Sequence, residues 1–331
     1  CIKSSMESIV PYLHKGMLVV LESTTYPGTT EEFVKPLLES SGLECGKDFF
    51  LAYSPERVDP GNQEYKTSNT PKVVGGVTET CCDLAASLYE GVLHATVHKV
   101  SSPAIAEMEK ILENAYRNIN IGLVNELAIL CNRMNISIWE VIDAARSKPY
   151  GFQAFYPGPG LGGHCIPLDP YYLSWKAREF GFHTSMIEAS MTINDGMPEY
   201  CVQRAVNILN KHHKPLRGSR ILMLGVAYKK DVDDCRESPA IRIYEKLLAG
   251  GAQVVVFDPQ ISEVNHKGAV IKGQERLTRE LVENSDLVII ATGHTNVDYD
   301  LVVQYAKAVF DTRGVTKELH GSGRFMNIEL L

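Results

Sequence analysis

The chain has 331 residues, of which 44% are apolar and 22% charged, and its formal net charge is −7. This composition is typical of a soluble globular protein with two or three domains, and the acidic balance argues against nucleic-acid binding. No apolar run reaches the length of a membrane span and no signal peptide is visible, so we expect no membrane partner.

The eight cysteines are scattered along the chain. They form no CxxC pairs and no Cys/His spacing suited to zinc, so the sequence predicts no metal site. It also favours a reducing, cytoplasmic setting. The chain starts at Cys1 rather than Met, within a helical pattern. We therefore expect that an N-terminal segment precedes it.

The first region alternates strands and helices. Apolar runs predict strands, and amphipathic spacing predicts helices between them. The predicted strands are residues 17–21, 49–53, 72–74 and 96–100, and the predicted helices are residues 29–38 and 80–89. Such alternation indicates an α/β domain with a mostly parallel sheet.

The middle region is helical, and its main feature is one long helix over residues 104–133. Its apolar residues have the spacing of a single helix face. They are Ile105, Met108, Ile111, Leu112, Ala115, Ile119, Leu123, Leu127 and Leu130. Further helices are predicted at residues 138–145 and 187–209. Their apolar faces require either an intramolecular core or a subunit contact.

A glycine-rich segment in this region, GLGGHCIPLDP at residues 160–170, contains Cys165. Asp169 is a good N-cap and Pro170 suits the first helical position, so a helix start is predicted directly after the loop. A helix N-terminus lowers a thiol pKa, which makes Cys165 a candidate nucleophile. The other cysteines are interpreted as inert buried thiols, and His164 as structural.

The third region, from about residue 213, resembles a second nucleotide-binding half. Strands are predicted at residues 221–224, 254–258, 287–291 and 308–310, with a helix at 239–249. Gly225 is followed by VAYKKD and not by GxGxxG, so the usual dinucleotide fingerprint is absent here. Lys229 and Arg236 suit a diphosphate, whereas Lys230 is interpreted as a surface lysine.

Three other stretches are chemically suggestive. ESTTYPG (residues 22–28) and YSPERVDPG (residues 53–61, with Glu56) each follow a predicted strand, where parallel sheets bind ligands. Lys110 and Asn114 share one helix face at i,i+4. Each feature alone is also compatible with an ordinary loop hydroxyl, a surface Glu or a solvated Lys.

Together these motifs resemble the UDP-glucose/UDP-mannose dehydrogenase family. The resemblance runs in family order through ESTTYPG, YSPERVDPG, EKILENAYRN, FYPGPGLGGHCIPLDP and LGVAYKKDVDDCRESPA. UDP-glucose enzymes of this family typically carry Lys before the loop aspartate, where this chain has Leu168. The sequence is therefore most similar to the UDP-N-acetylhexosamine 6-dehydrogenases, whose products enter bacterial surface polysaccharides.

The resemblance implies a four-electron oxidation with NAD as cofactor and Cys165 as the covalent nucleophile. Lys110 and Asn114 are expected to stabilise the developing oxyanion, Asp169 and Thr25 to hold a water and assist proton transfer, and Glu56 to serve thioester hydrolysis. Asp169 as a simple N-cap is the alternative.

The resemblance also implies binding residues and a homodimer or higher homo-oligomer. The implied UDP-sugar residues are Phe155, Tyr156, Gly158, Gly160, Gly162, Gly163, Tyr228, Lys229 and Arg313, and the implied cofactor residues are Thr24, Thr25, Tyr26 and Arg236. A partner subunit's arginine often reaches the substrate in this family, and Arg146 is the nearest candidate.

The predicted fold is α/β, with two Rossmann-like domains joined by a central long-helix region. The resemblance leads us to expect that the first Rossmann-like domain is truncated, because the strand and GxGxxG turn that open the family's NAD-binding domain do not occur in these 331 residues. Predicted domains are residues 1–103, 104–212 and 213–331. Alternatives are a UDP-glucose 6-dehydrogenase, a non-catalytic UDP-sugar-binding module, and, less favoured, a cysteine hydrolase or acyl transferase.

Overall fold

A computed structural model describes residues 1–59, 61–62, 64–163 and 166–331. The helices are α1 Ile2–Ile9, α2 Lys35–Glu39, α3 Glu79–Glu90, α4 Pro103–Met134, α5 Ile138–Arg146, α6 Asp169–Ala177, α7 Ser185–Lys211, α8 Pro239–Ala249, α9 Arg279–Glu283, α10 Tyr299–Tyr305 and α11 Lys317–Gly321. The strands are β1 Leu18–Leu21, β2 Phe50–Tyr53, β3 Lys72–Gly76, β4 Val97–Val100, β5 Arg220–Leu224, β6 Gln253–Phe257, β7 Glu263–His266, β8 Ala269–Lys272, β9 Leu287–Ile290, β10 Val309–Asp311 and β11 Ile328–Leu330. Most elements predicted from apolar periodicity are confirmed within one or two residues.

Two compact units make up the chain, one of residues 1–116 and 168–184 and the other of residues 117–167 and 185–331. The first unit contains a four-stranded sheet in the order β1-β2-β3-β4. Its outer pairs are parallel and β2 runs antiparallel to β3. The helix predicted at residues 29–38 begins as a π-helix, Thr29–Val34, before α2.

The second unit contains a five-stranded, fully parallel sheet in the order β11-β10-β9-β5-β6. Numbered within the sheet, this is the 2-1-3-4-5 order of doubly wound folds. The strand order reverses between β5 and β9, so the ligand crevice of such a fold lies at their carboxyl ends. Those ends lead into Gly225 and Thr292.

Apolar residues of α7, α8 and the sheet fill the core on one face of this sheet, and residues of α10 help to fill the other. The α/β prediction is thereby confirmed, and the three-domain boundaries stay a prediction. The hairpin β7–β8 and strand β11 were missed, because β7 (EVNH) and β8 (AVIK) are short and lack a buried apolar run. No helix in the described part of the chain is both long and apolar enough to cross a membrane.

Helix α4 departs from the expected pattern. Of the predicted apolar face, Ile111 and Ala115 are buried. The exposed apolar residues of α4 are Ile105, Met108, Leu112, Tyr116, Leu123, Leu127, Leu130 and Met134. On the opposite side of the helix, a set of polar residues is buried, namely Glu107, Asn114, Asn118 and Asn125. The structure therefore buries the polar face of α4.

Candidate functional site

Asn114 and Asp169 meet in the first unit. The Asn114 side-chain amide donates a hydrogen bond of 2.6 Å to Asp169 Oδ2, and both residues are buried. Asp169 is the first residue of α6, whose N-cap position is Leu168. The prediction of Asp169 as N-cap is therefore wrong. Its buried carboxylate pairs with the α4 amide, while Pro170 stands in the first helical turn as predicted.

The hydroxyl turn after β1 holds Thr24, Thr25 and Tyr26. Thr25 is buried, and its Oγ1 lies 2.5 Å from Thr29 Oγ1. Thr29 donates its only hydroxyl proton to the Tyr26 carbonyl at 2.7 Å, so Thr25 is the donor to Thr29. The Thr25 oxygen is left as an acceptor for a further group. This arrangement suits the expected role of holding a water.

Glu107 fixes this turn to α4. Its buried carboxylate accepts hydrogen bonds from the Gly28 N–H at 2.6 Å, the Thr30 N–H at 2.8 Å and the Thr30 hydroxyl at 2.7 Å. Burial raises the pKa of Glu107, whereas the bonds from Thr30 and Gly28 oppose that rise. The turn and the α4 face that carries Lys110 and Asn114 are thus held together.

Lys110 is half-buried on α4, and within the described ranges no carboxylate lies at ion-pair distance from its ammonium group. Nearby, the Tyr53 hydroxyl is fully buried, and none of the described atoms forms a hydrogen bond with it. Burial and the charges of Glu107 and Asp169 raise the Tyr53 pKa, so the phenol stays protonated. The unit thus holds a cation and a phenol with hydrogen-bonding capacity to spare.

Glu56 lies after β2 and is exposed. Its Oε1 accepts from the backbone N–H groups of Arg57 and Val58, both at 2.7 Å. Arg57 in turn donates to Glu113 Oε1 at 2.6 Å and lies 3.4 Å from Glu109 Oε1. Cys165 and His164 lie outside the described residues, so their expected roles stay predictions.

In the second unit, the glycine loop lies against Tyr228 and Arg313, which are predicted to bind the substrate together with this loop. A Cβ placed on Gly158 would lie 2.8 Å from Arg313 Nη1, and one on Gly162 would lie 2.7 Å from Tyr228 Cβ. Gly163 has φ +84°, and a Cβ placed on it would lie 3.0 Å from Cε2 of the Tyr228 ring. Glycine is required here because of the close approach. The predicted grouping of this loop with Tyr228 and Arg313 is therefore present in the second unit.

Arg313 and Arg236 differ in their surroundings. Arg313 Nε donates to the Ala291 carbonyl at 2.8 Å, and burial lowers the pKa of its guanidinium to about 10, so it remains charged near neutral pH. Arg236 is exposed and its guanidinium bonds Asp234, while its carbonyl accepts from the Gly163 N–H at 3.2 Å. Lys229 is half-buried in the same loop as Tyr228.

Phe155 and Tyr156 pack in a cluster with Trp139. The Tyr156 ring stacks on Trp139 at 5.9 Å between centroids, and its hydroxyl donates to Asp143 at 3.0 Å. Arg146 lies at the edge of this cluster, with Nη1 3.4 Å from the Tyr156 hydroxyl. The tyrosine side chain is thus held by protein contacts.

Two turns that could bind a dinucleotide phosphate are occupied by carboxylates. Glu107 takes the Gly28 and Thr30 N–H groups at the helix start after β1. Asp258, at the end of β6, takes the Val226 and Ala227 N–H groups after β5 at 2.7 and 3.1 Å. Phosphate sites of this kind need free backbone N–H groups. These two turns of the described residues therefore offer no free N–H groups of this kind to a cofactor diphosphate.

Sequence reasoning missed four buried polar residues: Glu107, Asn118, Asn125 and Asn194. A signal was present, because polar residues recur on α4 at intervals of seven and four residues opposite the apolar stripe. The sequence pattern of such an amphipathic helix does not specify whether its apolar face or its polar face lies in the protein core. The choice between the faces depends on hydrogen-bond partners that are distant in sequence.

Family models match three parts of the chain. Residues 1–93 match the NAD binding domain, residues 104–196 the central domain and residues 222–318 the UDP binding domain of the UDP-glucose/GDP-mannose dehydrogenase family. A UDP-N-acetyl-D-glucosamine 6-dehydrogenase of Pseudomonas aeruginosa is 44% identical over 257 residues, which is 77% of this chain and 60% of that protein. Protein CapL of Staphylococcus aureus is 37% identical over 97% of this chain and 77% of its own length.

Solved structures are similar over nearly the whole chain. A UDP-D-ManNAc dehydrogenase from Pyrococcus horikoshii has a TM-score of 0.87 at 30% identity, covering 99% of this chain and 75% of that one. The UDP-N-acetyl-mannosamine dehydrogenase Cap5O from S. aureus has a TM-score of 0.82 at 33% identity, covering 99% of this chain and 75% of that one. The described chain thus accounts for about three quarters of these structures.

Proposed function

Since the chain belongs to the UDP-glucose/GDP-mannose dehydrogenase family, we propose that it forms most of an NAD-dependent UDP-N-acetylhexosamine 6-dehydrogenase. The observation that carries the proposal is the buried pair Asn114–Asp169, next in sequence to a glycine loop that meets Tyr228 and Arg313 in its own unit. A surface amide and a helix cap would not be buried together in this way.

The proposed reaction converts the C6 alcohol of the sugar to a carboxylate with two hydride transfers and one water. Its balance is RCH2OH + 2 NAD⁺ + H2O → RCOO⁻ + 2 NADH + 3 H⁺. NAD⁺ supplies the hydride acceptor in each oxidation, with Thr24, Thr25, Tyr26 and Arg236 as the residues proposed to contact it. Every other role falls to the side chains of this chain.

Cys165 is the proposed nucleophile. Its thiolate adds to the C6 aldehyde, the thiohemiacetal loses a hydride to give a thioester, and water releases the acid and restores the thiolate. Lys110 donates to the C6 oxygen as negative charge develops, and Asn114 assists through its amide. Thr25 and Asp169 hold the water and take protons, and Glu56 serves hydrolysis.

The proposed substrate is a UDP-N-acetylhexosamine, and a UDP-glucose 6-dehydrogenase is the alternative. Leu168 stands where UDP-glucose enzymes of the family typically carry Lys, and the P. aeruginosa and P. horikoshii relatives act by name on N-acetylated sugars. The uronic acid product is proposed to serve surface-polysaccharide synthesis. A cytoplasmic location fits the seven described cysteines, which are all free.

The activity is tested by NADH formation in the full-length protein with UDP-GlcNAc, UDP-ManNAc and UDP-glucose. Two NADH per sugar are expected with an N-acetylated substrate, and one NADH with released aldehyde would contradict the covalent step. Cys165→Ser should retain UDP-sugar binding but lose turnover by about a thousandfold or more, because an alkoxide leaves far more slowly than a thiolate. Wild-type turnover of the serine variant would overturn the mechanism.

A UDP-sugar-binding module without catalysis is the second candidate for residues 1–331, favoured by the occupied amides at both possible phosphate turns. Calorimetry on these residues should show UDP or UDP-sugar binding but little affinity for NAD⁺. Weak UDP binding is compatible with the proposal. Tight NAD⁺ binding is not, since it would require a phosphate site other than the two turns described.

A homodimer or higher homo-oligomer is part of the proposal. The support is the row of exposed leucines on α4, of which Leu123 has 52% and Leu130 49% of its surface accessible. An exposed apolar row of this length marks a protein contact.

A further inference from the structure

Three buried asparagines of the second unit face one another across two helices. Asn118 and Asn125 lie two turns apart on α4, and Asn194 lies on α7 between them. Their exposed fractions are 1%, 0% and 3%. A Cβ on Gly122 would come within 2.9 Å of Ser190 Cβ, so this glycine allows the helices to approach closely.

These asparagines form a continuous chain of hydrogen bonds. Asn118 Nδ2 donates to the Ile166 carbonyl at 3.2 Å. Asn194 Nδ2 donates to the Asn118 carbonyl at 3.0 Å and to Asn118 Oδ1 at 3.3 Å. Asn125 Nδ2 donates to Asn194 Oδ1 at 2.8 Å, and the Gly158 N–H donates to Asn125 Oδ1 at 2.9 Å. The chain therefore joins Gly158 to Ile166.

Only one set of side-chain amide orientations satisfies all the hydrogen bonds that link these three asparagines. Its ends are backbone groups of fixed polarity, since the Ile166 carbonyl can only accept and the Gly158 N–H can only donate. Reversing any one amide would place two donors or two acceptors together in a buried site, which costs the desolvation of both. The three orientations are thus mutually dependent. Ser190 Oγ, at 2.7 Å from Asn118 Oδ1 and 2.9 Å from the Ile187 carbonyl, is compatible with this orientation.

Gly158 and Ile166 bound the glycine loop that contains Cys165. We propose that Asn118, Asn194 and Asn125 are positioning residues that set the two ends of this loop as one unit. This role rests on the proposed function, in which the loop binds the UDP-sugar and presents the nucleophile. A change at the Ile166 end is then transmitted to Gly158, which packs against Arg313.

The test is UDP affinity measured by calorimetry on the whole chain. Asn118→Asp keeps the shape of the side chain but places a carboxylate oxygen against the Ile166 carbonyl. It touches nothing at Gly158. If the three hydrogen-bonded asparagines act as one unit, Asn118→Asp weakens UDP binding about fivefold or more, comparable to loss of one buried hydrogen bond. Asn125→Asp does the same, and the double variant is no weaker than the worse single variant.

Controls separate positioning from folding. Asn132→Asp changes an exposed asparagine on the same helix and should leave the UDP Kd unchanged. Thermal unfolding monitors the fold of each variant, and Asn118→Ser, which is neutral, replaces Asn118→Asp if the buried charge prevents folding. In the active full-length protein, the variants should raise the KM for the UDP-sugar while the KM for NAD⁺ stays unchanged.

Failure of this inference differs from failure of the proposed function. Folded Asn118→Asp and Asn118→Ser with wild-type UDP affinity would overturn the positioning role and leave the dehydrogenase proposal intact. So would independent, additive effects of Asn118→Asp and Asn125→Asp. Absence of UDP binding by the wild-type chain would overturn the substrate assignment, and the positioning role with it.

Discussion

Helix α4 has an exposed face rich in apolar residues and a buried face on which polar residues lie among the apolar residues Ala106, Ile111, Ala115, Val124 and Ala128. One face carries leucines and other apolar residues that are exposed in this chain, whereas the other carries a glutamate and three asparagines that are buried. In each unit the buried polar groups bond a loop segment: Glu107 holds the turn at Gly28, and Asn125 holds Gly158.

The comparison shows that hydrogen-bond satisfaction, and not apolar content alone, decides which face of this helix is buried. Each buried side chain meets a backbone group or another side chain that would otherwise lack a partner, so the usual cost of polar burial is offset. The apolar face remains exposed, and it is the contact surface of the proposed oligomer. Substitutions on each face therefore give different readouts.

Among substitutions on α4, the largest effect on kcat is expected at Lys110, which lies at the edge of the polar face. Lys110→Ala should lower kcat by about 10²–10³, the usual cost of losing one oxyanion donor. Because the interaction forms in the transition state, the KM for the UDP-sugar should change little. Steady-state kinetics on full-length protein measures this, with Lys99→Ala, an exposed lysine paired with Asp83, as the control. A change confined to KM would make Lys110 a binding residue.

Asp169→Asn separates catalysis from packing on the same face. Asparagine keeps an acceptor for Asn114 but cannot take a proton, so kcat should fall about a hundredfold with the melting temperature nearly unchanged. Asp169→Ala also strands the buried Asn114 amide and should lower the free energy of unfolding by about 1–3 kcal/mol. Full activity in Asp169→Asn would assign this carboxylate to structure alone.

On the apolar face, Leu123→Asp should disrupt the proposed oligomer. An unpaired carboxylate in an apolar interface is desolvated without compensation, so the dissociation constant should rise about tenfold or more. Sedimentation velocity across a concentration series measures it. Glu126→Ala, an exposed neighbour on α4, serves as the control. If Leu123→Asp sediments as the wild type does, this face is not the contact.

The smallest expected effect is on the pH dependence of stability, and it concerns Glu109 and Glu113. Both carboxylates form ion pairs with Arg57 beside the apolar face of α4. Burial and the neighbouring Glu113 raise the pKa of Glu109 to about 7. The pKa of Glu113 is lowered, because hydrogen bonds from Arg57 and from Glu109 outweigh the effect of burial. A raised pKa contributes stability that is complete below the unfolded value of 4.5 and is lost as the pH rises through 7.

Glu109→Gln should therefore gain thermal stability relative to the wild type as the pH rises from about 5 to 8. Glu113→Gln should differ from the wild type by a constant amount over this range, because the lowered pKa of Glu113 contributes stability that is complete above 4.5 and is lost only at lower pH. Unfolding temperatures across this pH range test both variants. A pH-independent difference for Glu109→Gln would show that its carboxyl group titrates normally in the folded protein.

Much of the fold was accessible from the sequence because its strands are short buried apolar runs. The strand LVVL of β1 and the strand LVII of β9 have that pattern, and both were predicted close to their observed bounds. Short polar strands such as β7 were missed, since they pair with each other and bury little. The grouping of Gly158, Gly162 and Gly163 with Tyr228 and Arg313 came from the family resemblance, and stands in the second unit.

The sequence by itself determined the alternation of elements, the family motifs and the position of a helix start after the Cys165 loop, because these depend on local periodicity and turn chemistry. Tertiary structure decided that Asp169 pairs with Asn114 and that Leu168 is the N-cap of its helix. It also decided that the polar face of α4 is buried. The partners of this face, Gly28, Asp169, Ile166 and Gly158, lie 79, 55, 48 and 33 residues away in the sequence. The polar periodicity of α4 marks this face, but it does not identify hydrogen-bond partners so distant in sequence.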